Sequence, residues 1–170
     1  MAHFHLDYAN AEFTDALLVE DVGDRKLAMT LIKEMIGSGL NVQCEKFEDY
    51  VLEMTARIGR AGIVDPDHGF HNMLATEANE AIRIDFEVAR NVLAPRWAPR
   101  LYSQMLGRLL TTYTYSVQPD SERAFRFAVR MAETMRPSRW VLKQVRAYLL
   151  TALARQRQEI GLDMRVNLQW

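Results

Sequence analysis

Cysteine is almost absent from this chain. Cys44 stands alone among 170 residues, so no internal disulfide can form and nothing points to an oxidising compartment. Lysine is scarce as well, with 4 residues against 17 arginines, which favours fixed bidentate contacts over loosely hydrated charge. No uncharged apolar run approaches the ~18 residues of a membrane span. The opening Met1-Ala2-His3-Phe4-His5 has neither the basic nor the apolar region of a signal peptide. Low-complexity segments and internal repeats are missing too. A cytoplasmic protein without a membrane span is the expectation.

What is present is an ordinary globular balance, 49% hydrophobic and 25% charged, which excludes disorder and fits one domain. The net charge of -1 conceals a split. Residues 1–87 carry 7 basic and 17 acidic side chains, and residues 88–170 carry 14 and 5. Halves of opposite sign attract each other or serve different partners.

Alternation of Phe4, Leu6 and Tyr8 with His3, His5 and Asp7 predicts a strand. With a turn at 9–12 and a second strand at 16–19 it forms an antiparallel hairpin. Asp24 is positioned to cap a helix running to Gly37, and a longer helix follows over 45–60, burying Phe47, Val51, Met54 and Ile58. Short apolar pieces at 73–76 and 81–84 predict a second hairpin. Beyond Pro95 only helices are expected, at 97–116, 119–134 and 137–159, with Pro119 and Pro137 in first turns. Their Leu, Met and Val stripes read as packing. The fold class is therefore α+β, mainly α, divided into an N-terminal segment (1–23) and a helical domain (24–170).

Chemistry concentrates in Asp65-Pro66-Asp67-His68-Gly69-Phe70-His71-Asn72 and in Asp85-Phe86-Glu87. Polar groups gathered where strands end are expected to lie outside the core and to need water, a metal or a ligand. Phosphotransfer needs an Asp to receive the proton of the attacking hydroxyl, an Asn five residues on, and a second Asp on a following strand to hold Mg²⁺. Asp67 and Asn72 have that spacing, and 13 residues separate Asn72 from Asp85, enough for a hairpin. His68 and His71 with Asp65 or Asp67 form an alternative donor set for Zn²⁺ or Mn²⁺. His3 and His5 share a strand face, as metal donors or plain surface residues. Cys44 has no catalytic partner and reads as an idle buried thiol. Arg123, Arg126 and Arg130 share one helix face, which reads as a solvated face or a salt-bridged match for the acidic half rather than a nucleic-acid site.

With these motifs the sequence resembles the protein kinase-like superfamily. Asp65-Pro66-Asp67-His68 lies where that family has His-Arg-Asp-Leu, Asn72-Met73-Leu74 where it has Asn-Ile-Leu, and Asp85-Phe86-Glu87 where it has Asp-Phe-Gly. The Glu variant is more similar to the atypical bacterial branches, the lipopolysaccharide (Kdo)-kinase-like proteins and the aminoglycoside/choline kinases. The segment from Ala16 to Asp24 resembles the last N-lobe strand and hinge. The resemblance implies a kinase C-lobe-like domain using ATP and Mg²⁺. It implies Asp67 as catalytic base, Asn72 and Asp85 as metal ligands, Glu20 and Val22 as adenine contacts, and Leu74 packed beneath the adenine. No glycine-rich loop precedes the hinge-like segment, and the first lysine is Lys26. The expectation is thus a phosphotransferase reduced to hinge plus C-lobe, acting on a hydroxyl and completed by a partner protein or a second copy. The alternative is a degenerate, pseudokinase-like nucleotide-binding or interaction scaffold.

Overall fold

A computed structural model of the chain describes residues 3–4, 16–17, 25–76, 78 and 80–161. Its architecture is α+β and mainly helical, with helices α1 (Ala28–Gly37), α2 (Asn41–Arg60), α3 (Pro99–Val117), α4 (Ser121–Met135) and α5 (Arg139–Ile160). Three two-stranded antiparallel sheets accompany them among the described residues. Strands β1 (His3–Phe4) and β2 (Ala16–Leu17) pair as the hairpin reading requires, His3 opposite Leu17. Asp24, the expected cap, lies outside the described residues. The first helix begins at Ala28, after Leu27, which offers no side-chain cap.

Between α2 and α3 the chain forms β3 (Ile63–Val64), β4 (Met73–Ala75), β5 (Ala81–Arg83) and β6 (Arg90–Asn91). The β4–β5 hairpin is the expected one, with Met73 opposite Arg83. The pairing of β3 with β6 carries no sequence signal, because β6 is polar and exposed. Gly62 enables it. Its φ is +75° and an added Cβ would lie 2.2 Å from the Val92 carbonyl oxygen, so only glycine fits.

The core is built around α3, whose Leu106, Leu109, Leu110 and Tyr113 are fully buried. Val141, Val145 and Leu149 of α5 pack into the same core, as does the expected α2 stripe. Each such side chain contributes roughly 1.5–3 kcal/mol on burial. Gly107 lets the two long helices approach, since a Cβ there would come 2.9 Å from the Tyr148 ring. Two helix starts depart from expectation. Pro119 and Pro137 each sit one residue before the cap, and Asp120 and Ser138 do the capping, accepting from Arg123 N at 2.9 Å and Val141 N at 3.3 Å. The hydroxyl and carboxylate satisfy N–H groups that a proline cannot. The second helix also starts earlier than read, at Asn41 rather than Glu45. Among the described residues, no helix is long and apolar enough to cross a membrane.

Candidate functional site

The candidate site begins where β3 ends. Val64 and Asp65 are fully buried, and the Asp65 carboxylate pairs with the Arg83 guanidinium, itself almost fully buried on β5. Arg83 also donates to the Asn72 carbonyl at 2.9 Å. One arginine thus ties the start of the loop to its end. His68 is buried as well, with Nε2 2.8 Å from Thr55 Oγ1 of α2. Because the Thr55 hydroxyl donates to the Val51 carbonyl at 2.7 Å, the ring must be the donor and the tautomer is Nε2–H. Burial, then the Arg83 charge, lower the His68 pKa to about 3. These two residues correct the expectation that the whole polar cluster stands outside the core. They are core residues whose partners come from elsewhere in the fold.

The loop itself is pinned to α3. Phe70 is buried against Tyr113 and Phe127, with ring centroids 5.4 and 5.8 Å away. Its N–H donates to Thr112 Oγ1 at 3.0 Å. Gly69 allows the bend, since a Cβ would meet the His71 ring at 2.5 Å.

Asp67, by contrast, stays partly open, with its side chain 39% exposed. Asn72 Nδ2 donates to Asp67 Oδ2 at 2.8 Å and to the Asp67 carbonyl at 3.2 Å. Arg108 Nε, on α3, donates to Oδ1 at 2.9 Å, and His71 Nε2 lies 3.4 Å from the same oxygen. Burial raises the Asp67 pKa, but the Asn72 amide, the Arg108 charge and His71 together outweigh it and hold the carboxyl below its ordinary value.

Asp85 follows β5. Ile84 N donates to the Asn72 carbonyl at 3.0 Å, so the hairpin returns the backbone beside Asn72 just before Asp85. Asp85 is exposed and has a φ of +58°, a left-handed conformation that Asp tolerates better than most residues. Its Oδ1 accepts the Glu87 N–H at 3.2 Å. The Phe86 ring lies under the Arg83 guanidinium, 5.1 Å from its centroid.

The structure therefore brings Asp67 and Asn72 into direct contact and carries the Asp85 backbone next to them. Leu74 is half-buried and bridges Leu27, while Lys26 accepts from Ala75 N at 2.8 Å. Glu20 and Val22 lie outside the described residues. His68 cannot join His71 as a metal donor in this arrangement, and no group of three His, Cys, Asp or Glu is arranged for a metal among the described residues. Oxygen donors remain. Asn72 uses its amide nitrogen on Asp67, which leaves Oδ1 without a hydrogen-bond partner among the described residues, and one Asp85 oxygen is likewise unused. Oxygen donors of this kind suit a hard cation such as Mg²⁺ better than Zn²⁺.

Sequence reasoning did not find Arg108, Thr55 or the role of Arg83. Arg108 is 41 residues from Asp67, and no spacing rule links the two. Compared with models of known protein families and with curated proteins, the chain matches none.

Proposed function

We propose that the chain is a phosphotransferase that moves a phosphoryl group from ATP to a hydroxyl, with Asp67 as catalytic base and Asn72 and Asp85 as the Mg²⁺-holding residues. The observation that carries the reading is the Asp67–Asn72 hydrogen bond at 2.8 Å. It orients a partly exposed carboxylate and leaves the Asn72 side-chain oxygen without a hydrogen-bond partner among the described residues. Asn72 and Asp85 would hold a magnesium-bound ATP, and Asp67 would take the proton of the acceptor hydroxyl as its oxygen bonds to the terminal phosphorus and the terminal phosphoanhydride bond breaks, releasing ADP. The chain's own residues orient the base and hold charge in place, which is most of what this chemistry asks of a protein. The glycine-rich loop and phosphate-binding lysine of the resemblance would come from outside this sequence.

Asp67 must be ionised to accept a proton. Its lowered pKa keeps it ionised at lower pH than an ordinary Asp. The same Arg108 contact also favours a second reading, a nucleotide-binding scaffold without turnover, because a carboxylate held by an arginine is a weaker base.

Calorimetric titration with ATP and Mg²⁺ tests both readings. Wild type binds and Asp85→Ala does not, if either holds; no binding even at millimolar nucleotide with Mn²⁺ defeats both. Given binding, turnover that falls by at least ~100-fold in Asp67→Ala supports catalysis. Equal rates remove Asp67 from the role of base.

A further inference from the structure

A pocket of about 390 Å³ lies where α2 and α4 end and α3 and α5 begin. Its volume falls within the range of small-molecule sites. Ala56, Gly59 and Val141 are buried and form an apolar floor, while Arg60, Arg96 and Arg136 are exposed and form the rim. No carboxylate lines the pocket among the described residues. Elsewhere in the fold Arg83, Arg108, Arg123 and Arg130 each hold a carboxylate. None of the three rim arginines makes an ion pair among the described residues. The partial charges of two helix ends and two helix starts offset one another here, so the arginines set the sign of the pocket.

Two backbone positions run against local preference in ways that preserve this arrangement. Arg136 caps the C-terminus of α4 with a φ of +44°, a left-handed position where glycine is the usual and less strained residue. Gly59 stands in the last turn of α2, where alanine would favour the helix more. Packing does not demand that glycine. An added Cβ would lie 3.8 Å from Pro95 Cγ and 4.0 Å from the Tyr102 ring, ordinary contacts with two other residues of the wall. A helix that forgoes alanine there keeps the floor open, and a cap that forgoes glycine keeps a guanidinium at the rim.

We propose that this pocket binds a small phosphate monoester, with its dianionic head at the rim formed by Arg60, Arg96 and Arg136 and its apolar body on Ala56, Gly59 and Val141. Unpaired guanidiniums suit a phosphate dianion better than a carboxylate, because each planar fork meets two of its oxygens and its charge is the larger. None of Asp67, Asn72 and Asp85 lines the pocket, so the proposal does not rest on the phosphotransfer reading.

Calorimetry on the full chain with phenyl phosphate, inorganic phosphate and benzoate, all with Mg²⁺ present, tests it. Phenyl phosphate should saturate one site and bind roughly tenfold or more tightly than either other probe. Arg60→Ala and Arg136→Gly should each weaken it about fivefold or more. Arg146→Ala, which removes an exposed arginine of α5 outside the pocket, should leave it unchanged. Arg136→Gly should also raise the melting temperature, because it relieves the left-handed cap; loss of ligand with gain of stability separates a binding residue from a structural one. Gly59→Leu fills the floor and should abolish binding, and the arginine variants decide alone if that chain does not fold. Equal affinity for phosphate or benzoate, an equal loss in Arg146→Ala, or indifference to Arg60 and Arg136 overturns the proposal. Loss of binding in Asp85→Ala overturns it too, since the phosphate would then sit at the Asp67 site.

Discussion

Glu48 and Asp67 are each surrounded by cationic and hydrogen-bonding groups, yet only one surrounding is closed. Glu48, on α2, is 2% exposed. Its Oε1 accepts from the Tyr113 hydroxyl and, at 3.4 Å, from the Cys44 thiol. Arg130 donates to Oε2 at 2.7 Å, and Arg123 Nε lies 3.7 Å from Oε1. Asp49 pairs with Arg130 as well. Both carboxylate oxygens are met from within the protein. This accounts for two of the three arginines that the sequence placed on one helix face as a match for the acidic half; Arg126 instead pairs with Glu122 on its own helix. Burial first, then Glu48, push the Cys44 pKa up to about 12, so the thiol is inert. Around Asp67 the partners leave one side open, and Asn72 and Asp85 keep oxygens to spare. A charge cluster with no vacant donor or acceptor stabilises the fold; one with vacancies at the surface can meet a ligand.

The sharpest way to break this contrast is to remove the central acid of each cluster. Glu48→Ala strands the buried Arg123, and breaking such a pair costs about 3–5 kcal/mol. Urea denaturation should show the loss, with the midpoint falling and the slope unchanged. A smaller shift would mean that Arg123 finds other partners, Asn41 among them.

Acid comes next. His68 has a folded pKa near 3 against an ordinary 6.5, so between these values the unfolded chain binds more protons than the folded one. Stability is full above about pH 6.5 and falls as pH drops toward 3, by on the order of a few kcal/mol. Asp67, with its lowered pKa, adds a loss of the same sign at lower pH. Urea midpoints measured across pH 4–7 should decline with acid in wild type and be flatter in His68→Asn over that window. Parallel curves would dissociate the acid lability from His68.

Asp67→Asn should do the opposite of Glu48→Ala. Half-exposed ion pairs contribute about 0–1 kcal/mol, so the midpoint should scarcely move, while on the phosphotransfer proposal turnover drops ~100-fold or more. A large loss of stability would put Asp67 in the structural class with Glu48. The smallest effect belongs to Arg126→Ala, which loses an exposed pair with Glu122 and should shift stability by less than ~0.5 kcal/mol. A shift above 1 kcal/mol would draw Arg126 into the Glu48 cluster.

Much of this was legible without coordinates. Asp67 and Asn72 were paired by their spacing, and the spacing holds because the residues between them form a tight loop closed by the Phe70–Asn72 turn. The 73–76 and 81–84 pieces were read as a hairpin and are β4 and β5. Local rules reach that far because a turn or a hairpin is decided by neighbours in sequence. They misjudged Asp65 and His68, whose burial depends on Arg83 and Thr55 arriving from other elements. They also misplaced the helix starts at Pro119 and Pro137, because a proline and a following Asp or Ser both signal a beginning and only geometry chooses between them.

The sequence by itself determined the helical stripes, the β4–β5 hairpin and the Asp67-to-Asn72 interval, all of them properties of short spans of chain. Only the tertiary structure decided which charges became core and which stayed open, set Arg108 on Asp67, and gathered Arg60, Arg96 and Arg136 around one pocket. The reason is physical: periodicity records which face of an element is apolar, whereas the partner of a polar group is whatever packing carries within about 3 Å of it.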